Sequence, residues 1–164
     1  GLGHQRIAFI SDFLQDDVCS HFSRNRYNGY CQALTAAGLP VDPDYHQQGP
    51  VSLESGQFMA HKLLSLPTPP TAIFVFSDLQ ALGVLEAARV EGVNVPKDLS
   101  VVGYDDILWA HFARLTTVNQ QLYASGVEGG KLLLKALQDP DMPPSSLELS
   151  TELVIRQTTA PPGS

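Results

Sequence analysis

The residues of this chain able to do chemistry gather at the ends of short apolar runs. Ser11-Asp12 follows Arg6-Ile7-Ala8-Phe9-Ile10, Ser77-Asp78 follows Thr71-Ala72-Ile73-Phe74-Val75-Phe76, and Tyr104-Asp105-Asp106 follows Leu99-Ser100-Val101-Val102-Gly103. Carboxylates accept hydrogen bonds and arginine offers a fork of donors. Set against an apolar or aromatic wall, such groups suit a neutral polyhydroxyl ligand. On that reading Asp105 is the acceptor, Arg26 the bidentate donor and Ser77 a smaller polar group. Plainer roles stand beside it: Asp78 as cap of the helix that follows it, Asp106 as cap of the stretch toward Trp109, and Arg26 as a solvated helix residue.

Other chemistries fit less well. A dinucleotide site needs a glycine-rich turn after the first strand, so that backbone can approach a pyrophosphate at a helix start. Here that turn is Asp12-Phe13-Leu14-Gln15-Asp16-Asp17, acidic and without glycine. No Walker lysine motif and no Gly-x-Ser-x-Gly elbow occurs. The aspartates 78, 105 and 106, with Asp16-Asp17, sketch a metal-dependent phosphoryl-transfer site, but no lysine follows any clear strand. His4, His21, His46, His61 and His111 pair with no nucleophile at a recognisable spacing. The expectation is a binding module: not an enzyme, with no cofactor and no metal.

Bulk properties set the frame. The 164 residues suit one domain with a hydrophobic core, and 43% hydrophobic with 16% charged residues is ordinary globular composition. The net charge of -7, with only 10 Lys and Arg, argues against direct nucleic-acid contact by this segment. Cys19 and Cys31 have neither CxxC nor metal-type spacing, and a reducing cytoplasm is the expected compartment. No apolar run approaches bilayer length, so no membrane partner is expected. The abrupt start at Gly1-Leu2-Gly3-His4 reads as a fragment or processed form, so the lack of a signal pattern decides little.

The elements that must position these residues alternate. Apolar strands are expected at 6–11, 71–76 and 99–103, with weaker ones near Tyr45-His46-Gln47, Leu115-Thr116-Thr117-Val118 and Glu152-Leu153-Val154-Ile155-Arg156. Helical spacing appears over 22–37, closed by Gly38; over 52–66, ended by Pro67; over 79–91, closed by Gly92; and over 123–137, ended by Pro140. Strands alternating with helices imply right-handed crossovers and an α/β fold, a Rossmann-like parallel sheet with helices on both faces. Ligands of such sheets sit beyond the carboxyl ends of the strands, where the polar residues crowd.

In order, the motifs resemble those of the LacI/GalR family of bacterial transcription regulators. Leu2-Gly3-His4-Gln5-Arg6-Ile7-Ala8-Phe9-Ile10 is similar to the LGH-x-x-IAFI opening in the middle of its effector domain. Arg26-Tyr27-Asn28-Gly29-Tyr30 with Ala33-Leu34 resembles its R-x-x-GY-x-x-AL helix, and Thr71 to Phe74 with Ser77 to Gly83 its TAIF…ND-x-x-ALG segment. Gly92 to Asp106 resembles G-x-x-VP-x-D-x-SVVGYDD; Leu115 to Gln120 and Leu153 to Thr158 complete the series, which covers nearly the whole chain.

The resemblance implies one lobe of a periplasmic-binding-protein-like (type I) fold. The helix-turn-helix head and the first half of the effector domain would precede Gly1. Residues 1–118 would be the C-terminal lobe, 119–150 a crossover helix segment normally belonging to the N-terminal lobe, 151–158 the return strand, and 159–164 a tail. The crossover helix would therefore lack its usual sheet. Arg26 and Asp105 match the family's effector contacts; Ser77 stands where Asn is usual, Val51 and Leu122 fall near positions where an aromatic stacks on ligand, Gln120 lies at an inter-lobe contact, and Arg114 replaces a proline. The implied function is sensing of a small molecule, a sugar or nucleobase, whose binding shifts lobe closure and operator affinity in a homodimer. A periplasmic sugar-binding protein of a transport system shares the fold and stands as the alternative.

Overall fold

The computed structural model describes residues 1–14, 20–139, 141 and 143–163. Asp16, Asp17, Cys19, Pro140 and Ser164, on which sequence expectations rested, lie outside the described residues. In chain order the elements are β1 Ile7–Ser11, α1 Ser20–Ala36, a 3-10 turn Pro43–Tyr45, β2 His46–Gln48, α2 Leu53–Leu64, β3 Ala72–Val75, α3 Asp78–Glu91, β4 Ser100–Tyr104, α4 Leu108–Phe112, β5 Thr116–Asn119, α5 Leu122–Gln138 and β6 Glu152–Val154. One six-stranded sheet runs in the order β2-β1-β3-β4-β5-β6. The first five strands are parallel, but β6 is antiparallel to β5, with Thr117 opposite Val154. The expected parallel sheet is thus corrected at one edge, because the chain returns along β5 from the end at which β5 leaves.

Strand order reverses between β1 and β3. A right-handed β1-to-β2 crossover and a right-handed β2-to-β3 crossover run in opposite directions, so their helices fall on opposite faces. On one face the α1 residues Tyr30 and Leu34 bury Phe9. The other face carries the main core, where Met59, Ala60 and Leu63 of α2 and Ala81, Val84 and Ala88 of α3 pack on Ile10, Ile73, Val75 and Val101. Local chemistry sets the helix ends. Ser52 caps α2 by accepting from Ser55 N–H at 3.1 Å, and Ser77 caps α3 by accepting from Gln80 N–H at 3.2 Å.

The cap of α3 is therefore Ser77, and Asp78 is the first helical residue rather than the cap the sequence suggested. Thr159 and Ala160, expected to begin a tail, are tied in: Ala160 O accepts from His4 Nε2 at 2.8 Å and from the Ser100 hydroxyl at 3.0 Å. His4 joins the two ends of the chain. Helix α5 forms as the spacing predicts, yet it has no buried residue, and Leu133, Leu134 and Leu137 face solvent. No helix among the described residues is long and apolar enough to cross a membrane.

Helices α2 and α3 touch through their backbones. A Cβ built on Gly83 would meet the carbonyl oxygen of Leu53 and the amide of Gln57. Alanine at this helical position would gain about 0.5–1 kcal/mol over glycine in an open helix. Forcing a side chain into a packed contact costs about 1–3 kcal/mol. Gly83→Ala should therefore lower the urea midpoint with the slope unchanged; an unchanged or raised midpoint would show that the close approach does not matter.

Candidate functional site

Sequence order puts the reversal of the sheet between β1 and β3, and ligands of open α/β sheets sit outside the carboxyl ends at such a point. Arg26 reaches this edge from α1. Its guanidinium lies between two rings, 4.3 Å from the centroid of Phe76 and 3.7 Å from that of Tyr104, and Nη1 donates to Phe76 O at 2.6 Å. This cation–π sandwich holds a side chain that spacing alone allowed to be solvated. Only 15% of the Arg26 side chain is exposed, and burial pulls its pKa below the ordinary value against the attraction of Asp105.

Asp105 stands one residue past β4, with its backbone at φ 120°. Its Oδ1 accepts from Gln120 Nε2 at 2.6 Å and lies 4.0 Å from Arg26 Nη2, at the outer limit of an ion pair. No hydrogen bond from the described residues reaches its Oδ2. Burial pushes the Asp105 carboxyl up to about 6, opposed by Arg26, reinforced by the charge of Asp78 and opposed by the Gln120 hydrogen bond. A carboxylate with one oxygen open, a loosely engaged guanidinium and an amide can together receive and supply hydrogen bonds to adjacent hydroxyls.

The structure brings Arg26, Asp105 and Gln120 together. Ser77 lies next to Phe76 on the same edge, but it is 3% exposed and its hydroxyl serves the α3 cap and Gln80. Val51 is exposed in the turn before α2. Leu122 is exposed at the start of α5.

Asp78 and Asp106 take different work from that expected. Asp78 is fully buried; Oδ1 accepts from the Thr117 hydroxyl at 2.6 Å and Oδ2 from Ile107 N–H at 2.9 Å. Burial raises its pKa against those two bonds. Asp106 is not the cap of α4: that position is held by Ile107, which makes no side-chain cap bond, and Asp106 pairs with Arg156 Nη2 at 2.6 Å. Sequence reasoning gave no role to Phe76 or Arg156 and listed Tyr104 among the strand-end residues without one. The two aromatics flanking Ser77 and Asp105 were a signal, since rings beside strand ends form the walls on which a guanidinium stacks.

A cavity of about 640 Å³ lies between α1 and the sheet, bordered by Leu2, Tyr30, Leu34, Phe74 and Val102. It touches Arg26 and Tyr104 but not Asp105, Gln120 or Ser77, and its lining is almost wholly apolar. Convergent polar groups, rather than volume, locate the candidate site. Among the described residues no three His, Cys, Asp or Glu side chains cluster as metal ligands.

Asp105 holds its proton more tightly folded than unfolded, since its pKa rises from 3.8 to about 6. The stability this contributes is full below the unfolded value and is lost as pH rises through about 6. Asp105→Asn, a neutral isostere, should therefore melt higher than the parent chain at about pH 7.5 and close to it at about pH 3. Calorimetric melts showing no such pH-dependent gap would contradict this electrostatic assignment.

Comparison with known proteins bears on the fold. A family model described as a periplasmic binding protein-like domain matches residues 1–159. The HTH-type transcriptional repressor CytR of Escherichia coli (strain K12) is 40% identical over 159 residues, covering 96% of this chain and 46% of the repressor. The chain thus spans about half the length of the curated relatives it matches. Among solved structures, a putative transcriptional regulator LacI from Bacillus cereus subsp. cytotoxis superposes with TM-score 0.87 at 34% identity, over 96% of this chain and 55% of that one. The transcriptional regulator CelR in its cellobiose complex gives TM-score 0.84 at 35% identity, over 95% of this chain and 47% of that one. The chain belongs to the periplasmic-binding-protein-like domain family and is homologous to LacI-family transcriptional regulators.

Proposed function

We propose that this chain is the effector-sensing C-terminal lobe of a LacI-type transcriptional regulator. It binds a small polyhydroxyl molecule, a sugar or the sugar-bearing class of nucleobase ligands, and runs no reaction. The observation that carries the reading is the Arg26–Asp105–Gln120 cluster at the reversal of the sheet, with Asp105 Oδ2 open and Arg26 only 4.0 Å from its partner carboxylate. The cellobiose complex of a structural relative supports a carbohydrate ligand. Ser77 and Val51 complete the proposed ligand wall from the ends of β3 and β2.

Residues 1–118 form this lobe, 119–150 cross toward an N-terminal lobe, and 151–158 return. The solvent-facing leucines of α5 support that division, since an amphipathic helix with no buried face needs a surface elsewhere. The second lobe supplies the remaining contacts and the desolvation that make affinity useful. Effector binding favours one lobe arrangement, and the paired helix-turn-helix heads of a homodimer read that arrangement out on operator DNA in the cytoplasm. Homology to repressors favours this reading over a transport protein of the same fold. A phosphoryl-transfer enzyme fits poorly because both oxygens of Asp78 are already engaged.

The test is calorimetric titration of the full-length regulator with mono- and disaccharides, cellobiose among them, and with purine and pyrimidine nucleosides. A hydrogen bond to a charged group contributes about 1.5–3 kcal/mol, so Arg26→Ala and Asp105→Ala should each weaken binding by about 10- to 100-fold. A ligand bound equally tightly by both variants would overturn the site.

A further inference from the structure

Beyond β4 the chain passes through positive φ at two consecutive non-glycine residues, Asp105 at 120° and Asp106 at 59°. Such backbone is strained and persists only where surrounding contacts over-determine it. For Asp106 those contacts come from both places where the chain crosses the end of the sheet. On the outgoing side Asn119 Nδ2 donates to Asp106 Oδ2 at 3.0 Å, and Gln121 N–H donates to Asn119 Oδ1 at 2.6 Å. On the returning side Arg156 Nη2 donates to Asp106 Oδ1 at 2.6 Å.

Arg156 is itself fixed. Its Nη1 donates to Leu115 O at 2.8 Å and its backbone N–H to the Thr116 hydroxyl at 3.0 Å. The Arg156 and Asp106 side chains are only 15% and 16% exposed, which protects the pair from solvent screening. Two adjacent carboxylates thus hold both crossings: Asp105 binds Gln120, and Asp106 binds Asn119 and Arg156.

We propose that Arg156 is a positioning residue for Asp105, acting through Asp106, so that the returning segment and the ligand-facing carboxylate move together. Its functional meaning rests on the reading that Asp105 receives the effector. A movement of the crossings at 119–121 and 156 would then change the acceptor offered to the ligand, and occupancy of that acceptor would change the crossings. The arrangement needs the planar fork of arginine, because one side chain bridges Asp106 and the Leu115 carbonyl at once.

The test needs no ligand. Carboxyl-directed carbon NMR on the full chain would follow the titration of Asp105, whose carboxyl burial pushes up to about 6. Loss of the Arg156 cation would by itself favour the protonated form of Asp105, so a fall in its midpoint must pass through geometry. In Arg156→Gln, Asp105 should relax toward solvent, its midpoint falling by about one unit or more toward the ordinary carboxylate value. Exchange of the Gln121 amide should quicken about tenfold as its local opening becomes easier. Arg156→Lys should fall between the two.

A merely structural role would lower the melting temperature and leave the Asp105 midpoint and Gln121 exchange unmoved; that result overturns the proposal. Should Arg156→Gln fail to fold, Asp106→Asn, which keeps the side-chain shape, is read by Gln121 amide exchange alone, because removing the Asp106 charge itself lowers the Asp105 midpoint; about tenfold quicker exchange supports the proposal and unmoved exchange overturns it. Undiminished ligand affinity in Asp105→Ala would defeat the effector reading while leaving this titration standing. A flat titration with normal ligand loss would defeat only the positioning role.

Discussion

The carboxylate of Asp78 is the contact on which the polar edge of the sheet depends. It is fully buried at the first turn of α3, where the aligned peptide dipoles favour a negative charge. One oxygen takes the Thr117 hydroxyl of β5 and the other takes Ile107 N–H from the loop after β4. A single side chain therefore ties β3–α3, the β4–α4 loop and β5 at the same height. Removing it would leave a buried amide and a buried hydroxyl without partners, each a desolvation penalty of about 1–3 kcal/mol. Gly103 makes room for it, since a Cβ there would meet Asp78 Oδ1. The turn that presents Asp105 and Asp106 hangs from this clamp.

Above the clamp, polarity is divided among neighbours rather than shared. Asp78 is satisfied internally and Asp106 by Arg156 and Asn119, so of these three carboxylates Asp105 has an oxygen that no hydrogen bond from the described residues reaches. Its raised pKa records that burial outweighs the pull of a guanidinium 4.0 Å away. A site of that kind is less stable than it would be with a neutral residue, and a ligand that satisfies the carboxylate recovers the difference. Phe76 and Tyr104 spend their faces on Arg26, so here the rings orient a donor.

Much of this was legible in the sequence, for reasons that differ by element. Strands β1, β3 and β4 are apolar runs because both their faces are covered, and a run of that kind announces itself. The α1 helix was readable because Tyr30 and Leu34 mark its buried face, but that spacing left Arg26 free to be a solvated residue. Ser77 and Asp78 could not be ranked as cap from sequence, since both are good capping residues one position apart. The direction of β6 depends on where the chain goes between residues 138 and 152, which its three residues do not encode. Arg156 lies 50 residues from Asp106, and a lone arginine after an apolar run carries no local mark of that pairing. The amphipathic pattern of α5 predicted its helix but not its burial, because burial needs a second surface.

The measurement that bears most directly on the central claim is a crystal structure of the full-length protein with the proposed effector bound. The account predicts ligand polar atoms at about 3 Å from both the Asp105 carboxylate and the Arg26 guanidinium. It also predicts that Asp78 keeps its bonds to Thr117 and Ile107. A ligand seated elsewhere, as in the apolar cavity beneath α1, with Asp105 still bound only to Gln120, would contradict it.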